Sequence, residues 1–172
     1  MVNQKYPFIK LTKEITELLD KLQQRQFTIK SSELSYRTLG HYYKTGILED
    51  IRNSKQKWRK FNYIEIIWIR IIKDLRKFGI SLDFIRALRF RIFIEESGGF
   101  LDRAEIINKP FELEIALALL GKYELFLIIF SDGSFTFQDS NSTEYWTFKE
   151  YRDITSIIIP LRYSIKNLNT LK

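Results

Sequence analysis

The sequence predicts an α+β protein with a basic, helical N-terminal part and a smaller C-terminal α+β unit that contains an antiparallel sheet. Apolar residues recur at helical spacing up to about residue 95, and short β-branched and aromatic runs separated by turn residues follow residue 123. Residues 1–97 hold 20 Lys and Arg against 11 Asp and Glu, whereas residues 98–172 hold 8 against 10. We therefore expect two domains, 1–97 and 98–172, that meet at Ser97-Gly98-Gly99.

The composition bounds the class of protein. The chain has 172 residues, 45% of them hydrophobic, which is enough to bury a core. Its net charge of +7 is concentrated in residues 1–97, as expected of a module that binds a polyanion. It has no cysteine, which excludes disulfides and thiolate metal sites. Charges such as Arg70 and Glu124 interrupt its apolar runs, so none supplies the roughly 20 residues that span a bilayer, and we expect a cytoplasmic protein without membrane contact.

The first predicted helix covers about residues 12–24, with Thr12 as N-cap. Its apolar side chains form one stripe: Ile15, Leu18, Leu19 and Leu22. A polar link from Arg25 to Ser32 follows.

The second helix is predicted from Ser35 to Thr45. Gly46 stands where a left-handed helix stop is expected, and Ile47 and Leu48 follow it directly and are expected to pack back onto the core.

A basic loop separates this helix from the next. No helical period occurs between Glu49 and Lys60, and Asn53-Ser54 resembles a turn. Five of the last nine residues are positive: Arg52, Lys55, Lys57, Arg59 and Lys60. This pattern predicts a two-stranded wing.

Two further helices complete the N-terminal part. Asn62 and Glu65 have the spacing of a capping box, and apolar residues keep helical register from Ile64 to Gly79: Ile64, Ile67, Ile71, Leu75 and Phe78. Ser81 is the predicted N-cap of a fourth helix that ends near Glu95.

The C-terminal part begins with a predicted helix, 111–122. Strands at 124–130 and 134–138 flank the hairpin turn Asp132-Gly133, and further strands are expected at 145–148 and 154–159. The aromatic residues of this part either form the core of the sheet or line an apolar pocket.

The second helix has the surface that a DNA groove requires. Arg37, His41 and Lys44 are spaced to lie on one stripe, and no acidic residue occurs between Glu33 and Glu49. Tyr36 and Arg37 occupy the first turn, which in such helices meets base edges, while Leu39 points to the core. The loop cations would hold the adjacent phosphates. Helix, turn, helix and wing together predict a winged helix-turn-helix that binds double-stranded DNA.

These elements resemble the MerR-type winged helix-turn-helix family of bacterial transcription regulators over about residues 8–90. The recognition helix and its turn match at Ser35, Arg37, Thr38, Leu39, His41, Tyr42, Gly46, Ile47 and Leu48. The wing exit matches at Trp58, Arg59, Lys60, Phe61 and Asn62, and the turn between the last two helices at Gly79, Ile80, Ser81, Leu82 and Ile85.

The resemblance implies roles for individual residues. Tyr36 and Arg37 would approach bases, and His41 and Tyr42 would touch phosphates. Arg59, with Lys55 and Lys57, would hold the DNA backbone beside the wing. The predicted DNA-binding residues are therefore Tyr36, Arg37, His41, Tyr42, Lys44, Lys55, Lys57 and Arg59.

The chain departs from the family pattern at three points. Gly40 stands where an arginine is usual, the link between the first two helices is longer, and no heptad-like dimerisation helix follows residue 95. Simpler interpretations remain open for part of the helix. His41 could be a surface or packing residue, and we expect at least one of Tyr42 and Tyr43 to belong to the core. The basic loop also has a simpler interpretation, because it could be only a solvated turn.

The predicted function is a sequence-specific transcriptional regulator. The family resemblance further implies that it acts as a homodimer and contacts RNA polymerase. Two alternatives remain open: an architectural or recombination accessory protein of the excisionase kind, and a protein-interaction module whose helix-turn-helix no longer binds DNA. With one histidine and no cysteine, the common nucleophile–base pairs are nearly excluded, and no phosphate loop or metal-ligand spacing occurs. We expect no enzymatic activity, no metal and no cofactor.

Overall fold

The computed structural model describes residues 12–49, 59–95, 110–121, 123–140 and 155–161. The helices are α1 (Lys13–Gln23), α2 (Ile29–Ser32), α3 (Tyr36–Lys44), α4 (Tyr63–Lys77), α5 (Leu82–Phe90), a π-helical turn (Arg91–Glu95) and α6 (Pro110–Gly121). The strands are β1 (Leu125–Phe130), β2 (Phe135–Asp139) and β3 (Ser156–Pro160). The α+β prediction is confirmed. Within the described ranges, no helix is long and apolar enough to cross a membrane.

Helix α4 is the centre of the N-terminal part, because it is buried on most of its circumference. Its inward side chains include Trp68 and a series of isoleucines: Ile64, Ile66, Ile67, Ile69, Ile71 and Ile72. The predicted stripe is confirmed as far as Leu75. Phe78, however, is 66% exposed, because the helix ends there and the chain turns away at Gly79, whose φ is +78°.

The link before α3 differs from the prediction, since it contains the one-turn helix α2. Glu33 ends α2 in the left-handed region, with φ 55°, and Ser35 already caps α3. The helix that directly precedes α3 is therefore α2 and not α1. The apparent excess length of the link is explained, because α1 is an additional helix in front of the helix-turn-helix.

The sheet is antiparallel, with strand order β2-β1-β3. Gly133 has φ +80° in the predicted hairpin turn, a conformation that glycine adopts without strain. Leu127 lies opposite Phe137 on one side and Ile159 on the other, and all three are buried in the core. The run predicted at 154–159 forms β3, whereas the strand predicted at 145–148 lies outside the described residues.

The two parts of the chain share one hydrophobic core. Helix α6 contacts α1, the π-helical turn and β1, and the core cluster contains residues of α3, α4, α6 and the sheet. The boundary expected at Ser97-Gly98-Gly99 lies outside the described residues. The division into two domains therefore stays a prediction.

The start of α4 gives a testable prediction about stability. Glu65 and Asn62 form the capping box, with both hydrogen bonds at 2.8 Å, and the Arg25 guanidinium reaches Glu65 Oε1 at 2.5 Å. We expect Glu65→Ala to lower the free energy of unfolding by about 1 kcal/mol, as for loss of a cap. Glu65→Gln should cost less, because glutamine keeps the capping bond. Chemical denaturation measures both.

The Glu65→Gln variant also tests how the charge of the Glu65 carboxyl affects stability. Burial raises the pKa of Glu65 above its ordinary value of 4.5, despite the nearby Arg25. A raised pKa means that the folded state binds the proton more tightly, so the carboxyl contributes most stability below pH 4.5 and this contribution is lost as pH rises through the folded pKa. Relative to Glu65→Gln, the native chain should lose stability over that window. If the native chain instead gains stability relative to Glu65→Gln as pH rises, attraction to Arg25 outweighs the effect of burial on the pKa of Glu65.

Candidate nucleic-acid interface

Helix α3 is fixed at both ends by local hydrogen bonds. At its start, the Thr38 backbone N–H donates to Ser35 Oγ at 3.0 Å. At its end, the N–H groups of Ile47 and Leu48 both donate to the Tyr42 carbonyl, at 3.0 and 3.2 Å. This closure requires a left-handed residue, and Gly46 provides it with φ +72°. The predicted helix and its glycine stop are confirmed.

The inner face of α3 packs on the core through Leu39 and Tyr42, which are 0% and 6% exposed. The expectation that Tyr42 or Tyr43 belongs to the core is confirmed for Tyr42. Burial also raises the pKa of the Tyr42 hydroxyl. The DNA contact of Tyr42 stays a prediction, and its burial leaves little surface for that role.

The outer face of α3 carries four of the predicted DNA-binding residues. Tyr36 is 63% exposed, and Arg37, His41 and Lys44 are exposed as well. The helix contains no acidic residue. The structure thus brings one aromatic side chain and two cations, together with a histidine, onto one solvent-facing surface. Their contacts with DNA stay a prediction.

The two acidic residues that flank α3 are both held by cations of the supporting helices. Glu33 Oε2 accepts a hydrogen bond from Lys73 Nζ at 2.5 Å, and this contact lowers the pKa of Glu33. Glu49 Oε2 lies 3.1 Å from Arg89 Nη2. Each carboxylate is therefore compensated, so repulsion of a phosphate near either end of α3 is reduced.

Arg59 joins the wing exit to α3. Its guanidinium carbon lies 4.0 Å from the centre of the Tyr43 ring, a cation–π contact. Next to it, the backbone of Phe61 pairs with that of Phe27, and the Lys60 carbonyl accepts a hydrogen bond from Arg25 at 2.6 Å. Arg59 thus lies against Tyr43 of α3, and its contact with the DNA backbone stays a prediction. Lys55, Lys57 and the region predicted to form a two-stranded wing lie outside the described residues.

Two residues near the interface were missed by the sequence analysis. The Trp68 indole N–H donates to the Ile47 carbonyl at 3.1 Å and so anchors the turn that closes α3. Arg86 of α5 lies next to that turn, since a Cβ atom built on Gly46 would be 3.7 Å from Arg86 Cδ. Its side chain is 58% exposed and forms an ion pair with Asp83, with Arg86 Nη2 3.0 Å from Asp83 Oδ1, so its charge is partly compensated within α5. No local pattern indicates either contact, because the partners are distant in the sequence.

Gly40 gives a second prediction. A Cβ atom at this position would meet no atom within 4 Å, so side chains are sterically tolerated. We expect Gly40→Ala to stabilise the protein by about 1 kcal/mol, the helix propensity that glycine lacks. Gly40→Arg should give a smaller stabilisation and also tighten binding to duplex DNA, with a steeper salt dependence, because it adds a cation to the outer face. Alanine is the control for the helix effect, and equal DNA affinity of the two variants would contradict the prediction.

Comparison with known proteins supports the interpretation of this region. Residues 28–89 match the family model described as MerR HTH family regulatory protein. The match covers α2, α3, α4 and nearly all of α5, and it leaves α1 and the C-terminal unit outside. No curated protein and no solved structure matches the chain.

Proposed function

We propose that this chain is a sequence-specific transcriptional regulator that acts as a homodimer. The match of residues 28–89 to the MerR HTH regulatory family model supports a DNA-binding regulator. One observation carries the proposal. Helix α3 rests on the core through Leu39 and Tyr42 and presents Tyr36, Arg37 and His41 to solvent. A helix held in this way can enter a major groove about 12 Å wide with its first turn toward the bases.

The electrostatics of the region support binding to a phosphate backbone. The outer face of α3 is free of carboxylates, Glu33 and Glu49 are paired with cations, and Arg59 lies against Tyr43 of α3. Such an arrangement gives an affinity that falls as salt concentration rises. Base specificity would come from Tyr36 and Arg37, and general affinity from His41 and Lys44 with the cations of the wing.

The dimer and the contact with RNA polymerase rest on the family resemblance. A dimer would place its two copies of α3 on the same face of the DNA duplex. They would bind the two half-sites of a pseudo-palindrome, about one turn of DNA apart. Regulators of this type distort the promoter spacer so that polymerase can engage both promoter elements. We assign dimerisation and effector sensing to the C-terminal unit, residues 98–172. Sedimentation of the full chain tests this assignment, and a strict monomer on DNA would contradict it.

Selection from a pool of random-sequence duplexes tests the proposal directly. We expect a defined sequence to be enriched, and fluorescence anisotropy should then show tighter binding to this selected duplex than to unselected DNA, at low and at moderate salt. Mapping of the bound sites in cells should place them at promoters. Sites at the ends of mobile elements would favour the recombination accessory alternative.

One observation favours a second candidate, a protein-interaction module. Gly40 lies at the centre of α3, where the family usually has an arginine, and it leaves the outer face of α3 with one cation fewer. If the full chain shows no salt-sensitive binding to any duplex, the module is favoured and the regulator is excluded.

A further inference from the structure

We propose that Phe93 is a positioning residue that couples the packing of α6 and the sheet to the position of α3. This inference rests on the proposed function. Phe93 stands between the two parts of the chain: its ring meets the Trp68 ring edge-on, with centroids 5.5 Å apart, and the Phe111 ring edge-on, with centroids 5.2 Å apart.

On the N-terminal side, Phe93 reaches the end of α3 by two routes. Through Trp68 it is linked to the Ile47 carbonyl, which accepts the indole N–H. Through Arg89, whose guanidinium lies 5.8 Å from the centre of the Phe93 ring, it is linked to Glu49. Both routes end in the short segment that directly follows the turn closing α3. A shift of the Phe93 ring would therefore act on the position of that turn and of Glu49.

On the C-terminal side, the aromatic contacts continue into the sheet. Phe111 of α6 is fully buried and stacks on Phe137 of β2, with centroids 5.5 Å apart and ring planes 28° apart. Phe137 in turn contacts Phe135 at 5.6 Å. Edge-to-face and stacked pairs favour a narrow range of geometries, and a close-packed core transmits small displacements. A change in the position of β2 would thus be passed to Phe93.

The backbone at Phe93 has a hydrogen-bond register that differs from that of the preceding helix. Phe93 is the central residue of the π-helical turn, which directly follows the regular helix α5. Such turns occur often at functional sites, and they differ from an α-helical turn by one residue in hydrogen-bond register. Conversion between the two registers would rotate Phe93 relative to Trp68 and Phe111. Coupling requires a discrete two-state element, and we assign that role to this turn.

The experiment compares Phe93→Leu with Leu161→Ala. Both remove the same number of side-chain carbons, and Leu161 is fully buried in the same core without belonging to the aromatic series. The readouts are the affinity for the selected duplex and amide hydrogen exchange at Ile47 and Leu48 in the DNA-free protein. We expect Phe93→Leu to weaken binding at least about fivefold and to accelerate exchange at these two amides ahead of global unfolding. Leu161→Ala should change neither the affinity nor the exchange at these amides. Phe93→Tyr, which keeps the aromatic ring, should retain native affinity and native exchange.

Two results would overturn the inference. One is a folded Phe93→Leu variant with native affinity and native exchange. The other is an equal change in Leu161→Ala, which would show a general loss of stability. If Phe93→Leu fails to fold, Phe93→Met is measured instead, since methionine fills irregular core space, and the same criteria apply to it. Failure of the proposed function can be distinguished from failure of this inference. If the chain does not bind DNA, no duplex is selected, and the exchange at Ile47 and Leu48 still decides whether Phe93 is coupled to the end of α3.

Discussion

Replacing Trp68 with alanine should lower the free energy of unfolding by about 3–5 kcal/mol. The side chain is 2% exposed, packs edge-on against Phe93 and donates its indole N–H to the Ile47 carbonyl. The substitution leaves a cavity in the core and removes the anchor of the turn that closes α3. A domain has a total stability of about 5–15 kcal/mol, so the variant should be partly unfolded at physiological temperature. Denaturation followed by circular dichroism measures the loss.

A second variant separates the hydrogen bond from the cavity. Trp68→Phe keeps an aromatic ring and removes the N–H, so the buried Ile47 carbonyl loses the indole donor. We expect a cost of about 1–3 kcal/mol, the range for a buried polar group left without its partner, together with some loss of packing. Tyr36→Ala, on the exposed face of α3, is the control and should change stability by less than about 0.5 kcal/mol. If Trp68→Phe is as stable as the native chain, the bond to Ile47 does not anchor the turn.

Replacing Arg37 with alanine should reduce affinity for the selected duplex by about 1–3 kcal/mol, the range for a good base contact, and relax the preference at one base position. The reason is geometric. Arg37 is exposed in the first turn of a helix whose start is fixed by Ser35 and whose inner face is buried. Arg37→Lys keeps the charge and loses the planar fork that pairs with guanine, so it should recover general affinity without recovering the preference.

The control for Arg37 is Lys13→Ala, which makes the same change in net charge. Lys13 lies on α1, outside residues 28–89, and should leave affinity nearly unchanged. Lys44→Ala should behave differently from both. It should weaken binding by a similar factor on all sequences and reduce the salt slope by about 0.9, as for one phosphate contact. Equal affinity of the native chain and Arg37→Ala would show that α3 does not read bases in this protein.

Much of the helical framework could be predicted from local sequence. Each of the three predicted N-caps accepts a hydrogen bond from a backbone N–H three residues later: Thr12, Asn62 and Ser81. The glycines predicted at a helix stop and at a hairpin turn, Gly46 and Gly133, have positive φ. These features were predictable because their partners lie within a few residues, so a short segment contains all the chemistry that decides them.

Other features depended on residues that the sequence does not place together. The one-turn helix α2 has no apolar period of its own, and it is held by packing against α4 and by the Glu33–Lys73 contact across 40 positions. Phe78 continues the apolar register of α4 and is nevertheless exposed, because the helix ends at Lys77 and the chain turns away from the core at Gly79. Periodicity indicates which residues could face a core. It does not indicate where the core stops.

The sequence by itself determined the basic N-terminal part, its capped helices and the cation-rich outer face of α3, because composition, periodicity and capping are local properties. The tertiary structure alone decided that Tyr42 is buried, that Arg59 lies over Tyr43 and that Trp68 holds the turn after α3. It also decided that Phe93 joins this region to α6. These contacts join residues that are distant in the chain, and their existence depends on how the helices pack, which no short segment specifies.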